Sequence, residues 1–136
     1  MKNISLFLLA TFLFASDALS DFKSDIKINS YSIEFLKGSN EVIFLDDIEI
    51  NSEFVNIKAQ SATYDRMKDV ISLKGNPSFI KSKKEKNPFN GMAEKILFFN
   101  DQKIHLIGNA SMKYENISIS SNKIIFNPQN GEMSSE

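Results

Sequence analysis

The chain has no cysteine and no tryptophan, one histidine and three prolines in 136 residues. Without cysteine there is no disulfide framework, no thiolate metal site, no cysteine nucleophile and no lipid-modified N-terminal cysteine. With His105 alone, a multi-histidine metal centre is excluded as well. No charge of one sign dominates, since 16 Lys and Arg oppose 17 Asp and Glu for a net charge of −1. A nucleic-acid binder needs clustered Lys and Arg to neutralise phosphates, and only the short run from Lys81 to Lys86 is of that kind. No nucleic-acid partner is therefore expected. A phosphate loop of the Gly-x-x-x-x-Gly-Lys-Ser/Thr type is missing too, so any movement the protein supports must be driven from elsewhere. No cofactor or metal is implied, and only an unusual Asp/Glu/Lys site could make this an enzyme.

One long apolar run exists, at the N-terminus. Lys2 supplies a positive charge, Ile4 to Ala15 is uncharged and apolar, and Ala18-Leu19-Ser20 places small residues before Asp21. This predicts a cleavable signal peptide over residues 1–20. The run meets Asp17 before reaching the roughly 18 to 20 apolar residues that cross a bilayer. Left uncleaved, it would tether the same domain to the membrane. Either way residues 21–136 fold outside the cytoplasm, with enough chain for one core.

Apolar and polar residues alternate through almost all of that domain: Tyr31-Ser32-Ile33-Glu34-Phe35, Ile48-Glu49-Ile50, Val55-Asn56-Ile57-Lys58-Ala59, Ile71-Ser72-Leu73, Ile104-His105-Leu106 and Ile117-Ser118-Ile119-Ser120. A period of two is the mark of half-buried strands. Between them stand turn-forming groups, namely Lys37-Gly38-Ser39-Asn40, Asp65-Arg66, Gly75-Asn76-Pro77, Asn100-Asp101, Gly108-Asn109 and Asn127 to Gly131. No helical stripe competes, so the fold class is all-β. The residues from Gln129 onward are polar and are expected to fray.

The strands also repeat as a group. Ala59 to Tyr64 matches Ala93 to Phe98 and Ser121 to Phe126, with a degenerate copy at Ser30 to Phe35. A second landmark recurs as Phe44-Leu45-Asp46-Asp47, Leu73-Lys74-Gly75-Asn76 and Leu106-Ile107-Gly108-Asn109. A spacing of about 30 residues marks stacked units, each too small to bury its own apolar face. Each unit is expected to cross one sheet, bend at Gly-Asn and fold back on a facing sheet, giving two antiparallel sheets around an aliphatic and phenylalanine-rich interior. The end strands, Ile26 to Ile28 and Ile117 to Phe126, lack proline and so leave usable edges.

These repeated small-x-x-apolar-x-aromatic units, the Leu-x-Gly-Asn turns, and Gly75-Asn76-Pro77-Ser78-Phe79 followed by a basic loop and Gly91-Met92-Ala93 resemble the OstA-like family of periplasmic lipopolysaccharide-transport proteins. The resemblance extends from about Ile28 to Asn130. It implies a twisted β-jellyroll in the periplasm with an apolar interior for the acyl chains of lipid A. It also implies end-to-end pairing with copies of itself, and with similar LptC-like inner-membrane and LptD-like outer-membrane jellyroll domains. It brings no catalytic residue.

Such a task suits the composition. Exposing an acyl chain of about twelve carbons to water costs on the order of 10 kcal/mol, at roughly 0.8 kcal/mol per methylene. The alternation assigns as apolar groove candidates Ile33, Phe35, Phe44, Ile48, Ile50, Tyr64, Leu73, Phe79, Phe98, Leu106, Met112 and Phe126, although the same residues would equally fill an ordinary core. The lysine run reads as a solvated hairpin loop. His105 falls on the wet face of its strand, and Asp46 and Asp47 occupy a turn position rather than a calcium or acid-base site. Two other readings stay open: a membrane-anchored, LptC-like component of the same pathway, and a structural or saccharide-binding β-sandwich. The latter is disfavoured by the absent Trp and by only three Tyr.

Overall fold

The computed structural model describes residues 26–36, 38–86 and 88–135. The expected signal peptide, residues 1–20, and the first residues of the 21–136 domain lie outside the described residues. The regular elements are all strands: β1 (Lys27–Asn29), β2 (Ser32–Phe35), β3 (Glu41–Asn51), β4 (Val55–Asp65), β5 (Val70–Ser82), β6 (Phe89–Phe99), β7 (Ile104–Tyr114), β8 (Ile117–Phe126) and β9 (Met133–Ser135). Among the described residues no helix is long and apolar enough to cross a membrane.

The strands pair antiparallel in the order β1-β3-β4-β5-β6-β7-β8-β9, with β2 also on β3. The two expected layers are present as two halves of one hydrogen-bonded sheet. Every long strand carries an irregularity near its middle, where the register slips between Leu45 and Ile48, Lys58 and Ser61, Lys74 and Ser78, Met92 and Lys95, and Ile107 and Ala110. Extra residues at these bulges bend the strands. Asp46 and Asp47 (φ 62° and 52°) and Gly108 and Asn109 (φ 85° and 46°) adopt the left-handed backbone there, a conformation Gly, Asn and Asp tolerate best. Gly75-Asn76-Pro77 and Gly108-Asn109 are thus not breaks between strands but creases within β5 and β7.

The crease also resets which side chains face inward. Buried positions run Val55 and Ile57 before it but Ala62 and Tyr64 after it on β4, and Ile71 and Leu73 before it but Ser78 and Ile80 after it on β5. Because a slip of one residue moves a strand's side chains to the opposite face, the bulges keep both halves apolar on the inside. The halves then lie face to face. Phe89 and Phe126, from opposite halves, have ring centroids 4.6 Å apart, and a Cβ added to Gly91 would stand 3.1 Å from Leu106 Cδ1 across the interior.

Hairpin turns form at Asp65-Arg66, Asn100-Asp101 and Asn127 to Gly131, three of the expected turn groups. Asp65 Oδ1 accepts the Met67 and Lys68 N–H groups at 3.0 and 3.1 Å. Asp101, Asn127 and Asn130 side chains accept the N–H two residues on, in each case at 2.9–3.0 Å. The C-terminal residues do not fray as expected: Met133–Ser135 pairs with β8 from Ile124 to Phe126. Ladder hydrogen bonds and half-buried Met133, packed against the core, hold it there. Strands β2 and β9 therefore extend one half of the sheet and β1 extends the other, which leaves Ile117 to Ser120 of β8 with no strand on its outer flank among the described residues.

Candidate functional site

Inside the folded sheet, the size of the side chains grades from crease to rim. Small residues, Ala62, Ser78, Gly91, Ala93 and Ala110, sit near the crease, where the halves diverge from a common backbone. Tyr64, Phe89, Phe98 and Phe126 occupy the rim. Graded size of this kind makes a wedge. Among the described residues no charged side chain is buried, and the buried polar ones are Ser30, Ser52, Asn56, Ser78 and Gln102. Ser78 Oγ is buried without a hydrogen-bond partner. No cluster of three or more metal-ligating side chains occurs among the described residues.

Of the residues the alternation assigns to the groove, Phe44, Ile48, Ile50, Tyr64, Leu73, Phe98, Leu106, Met112 and Phe126 are buried together in this interior. They touch one another instead of standing around an open trough. Ile33 and Phe35 share the inner face, opposite Phe44 and Val42, but lie on edge strand β2, where Phe35 is 37% exposed. Phe79 does not belong to the interior. It pairs with Lys58 and Met92 on the outer face and is 49% exposed, because the crease after Lys74 turns Ser78 and Ile80 inward in its place. Unbroken alternation from Leu73 would have placed Phe79 inside.

Ile80 and Phe89, also buried in the interior, stand in no run or repeat that the sequence marks as inward, whereas Ile96, Ile104 and Ile124, buried with them, are apolar positions of the repeats or of an alternating run. The alanines at the crease were legible only as small residues in an apolar register. His105 lies on the outer face as expected, its ring 4.6 Å from that of Phe99.

The interior reaches both ends of the sheet. At one end Ile33 and Phe35 are partly bare beside exposed Tyr31 and Leu36; at the other, Ile119 is half-buried beside Ile117, 60% exposed. Along the mouth between the rims, the C-terminal part is bridged by aromatic rings. Phe126 packs edge-on against Phe89 and, at 5.7 Å, against Tyr114. Outside this bridge lies a cleft of about 260 Å³ lined by Phe54, Ser82, Lys84, Lys86, Tyr114 and the 128–131 turn, with Phe89 at its base.

A doubled antiparallel sheet with a wedge-shaped apolar interior and open edge strands is the jellyroll of lipopolysaccharide-transport proteins. The family described as LptA/(LptD N-terminal domain) LPS transport protein matches residues 27–132, and the chain belongs to that family. It is a family of transport proteins, not of enzymes. Among solved structures the chain is similar to LptH of Pseudomonas aeruginosa, the LptA-homologous periplasmic component of that organism's lipopolysaccharide transport device. The TM-score is 0.73 at 18% identity, over 85% of each chain. No curated protein sequence matches.

Proposed function

We propose that this chain is a periplasmic carrier that shelters the acyl chains of lipopolysaccharide between the two halves of its sheet, and that copies join end to end through their edge strands. The observation that supports this most is an apolar interior, with no buried charge among the described residues, running to both open ends of one creased sheet. The halves are joined covalently only along the crease, and elsewhere by apolar side-chain contact through the interior and at the mouth, so they open like covers about a spine. Magnitudes favour opening. Opening parts the whole interior and not the ring pairs alone, but acyl chains laid between the halves re-cover the apolar surface that opening exposes, and sheltering one twelve-carbon chain gains on the order of 10 kcal/mol. A filled interior in the empty protein is thus compatible with lipid uptake.

The flank of β8 from Ile117 to Ser120, which no described strand covers, and β1 and β2 at the opposite edge, carry the backbone groups for adding a neighbour's strand. Strand addition satisfies those groups and joins the two interiors in a single step. The same device fits LptC-like and LptD-like jellyroll domains.

A native chain without cysteine makes a direct test possible. Phe89→Cys with Phe126→Cys places two thiols across the mouth. Joined by a short thiol-reactive linker that a reductant cleaves, this variant should fail to take up labelled lipopolysaccharide; once the linker is cleaved, it should recover most of the wild-type capacity. Full uptake with the crosslink formed would show that lipid does not enter between the halves.

A further inference from the structure

The cleft outside the aromatic bridge has a composition unlike the rest of the mouth. Two lysines of the β5–β6 turn, Lys84 and Lys86, form one wall, and the Pro128 to Gly131 turn forms the other. Lys84 is positioned from both sides: its Nζ stands 4.4 Å above the Phe54 ring and 3.7 Å from Glu53 Oε1. The Lys83 N–H, bonded to the Phe54 carbonyl at 2.9 Å, fixes the turn against the β3–β4 connection. Tyr114 belongs to both compartments, packing on Phe126 inward and lining the cleft outward. The opposite turn presses on it, since a Cβ on Gly131 would fall 2.8 Å from Tyr114 Oη, with Gly131 at φ 78°. The floor of the cleft, Phe89, is also the first ring of the bridge.

We infer that this cleft seats the phosphorylated sugar headgroup of a glycolipid whose acyl chains pass the Phe89–Tyr114–Phe126 bridge into the interior. The inference rests on the reading that the interior takes acyl chains. Its chemistry is that of an anionic saccharide: lysine ammonium groups for the phosphate, aromatic faces for the sugar ring, and the Gln129 and Asn130 amides for hydroxyls. Amphiphile and site then match end to end, with charge outside the bridge and hydrocarbon within. The lysine run, which sequence alone reads as a solvated loop, owes this role to the turn that the fold brings opposite it.

The test compares the wild-type chain with the double variant Lys84→Gln/Lys86→Gln, using fluorescently labelled lipid A in its phosphorylated form and after removal of its phosphates. The variant should bind the phosphorylated form at least about tenfold more weakly, as expected on losing charge-assisted contacts, and the dephosphorylated form as the wild type does. Equal binding of the phosphorylated lipid by both proteins would overturn the headgroup seat while leaving the acyl reading intact. Equal weakening for both lipids would overturn it too, by showing that the lysines act on the fold. Failure of the wild type to bind either lipid would overturn both readings. Inorganic phosphate is the separating arm: displacement of the labelled lipid by millimolar phosphate alone would assign the cleft to a free anion instead.

Discussion

Gly91 shows how closely the halves approach. A Cβ there would stand 2.9 Å from the Ser111 carbonyl oxygen, 3.1 Å from Leu106 Cδ1 and 3.4 Å from Ile80 Cγ2. The side-chain atoms are able to rotate away, but the Ser111 carbonyl is part of the β7 backbone. Gly91→Ala is therefore expected to destabilise by about 1–3 kcal/mol as overpacking does, read as a lower midpoint in urea at unchanged slope. Adding Leu106→Ala should not restore stability, because the backbone contact persists and the lost methyls cost about 2–5 kcal/mol themselves. Recovery in the double variant would show that the limit is the leucine. At this scale most of the interior was readable in advance. Phe44, Leu73, Phe98, Leu106 and Phe126 follow from alternation alone. Phe79 does not, since the inserted residues that turn it outward look in sequence like an ordinary Gly-Asn-Pro turn.

At the level of elements, the period of two and the turn residues give the strands and hairpins. They cannot give the creases, because a bulge is defined by the count of residues on two paired strands and only one strand is visible at a time in the sequence. The edges were legible in part. Ile117 to Phe126 reads as one terminal strand, yet Ile124 is fully buried and held between Leu106 of β7 and Ser135 of β9. Proline at Ile124 would thus break the fold rather than an edge. The free flank lies earlier, and N–H groups alternate between the flanks of a strand, so Ser118 and Ile119 donate to opposite sides. Of Ser118→Pro and Ile119→Pro, one is expected to keep its melting temperature within a few degrees while losing self-association in sedimentation. The other should destabilise the β7–β8 ladder. If both remain folded and still associate, this flank is not a pairing edge. The cleft at the mouth was the least legible feature, because its walls, residues 82–86 and 128–131, are far apart in the chain and neither carries a motif.

For the molecule as a whole, the two ends of the sheet are different surfaces: β1 and β2 at one, β8 and β9 at the other. Contact between unlike surfaces leaves one of each surface unused on every pair, so growth does not stop at two copies. Light scattering should accordingly show a mass that keeps rising with concentration, with no plateau at a dimer. A strictly monomeric species at millimolar concentration would count against edge pairing, and a stable dimer would point to like surfaces meeting. The edges carry little to discourage such growth, since Ile117 to Ser120 holds neither proline nor a charged residue.

The short strand β9 has one more consequence. It lengthens one wall at the C-terminal end by a single strand, about 4.8 Å, while the opposite wall stops at β8. A following copy, whose own first strands stand level on both walls, meets a step instead of a flush face. In the proposed end-to-end pairing the joint would be lapped, or β9 would lift away to square it. Under the proposed pairing the unlike ends already give a row its direction, and the step made by β9 sets how one copy seats against the next.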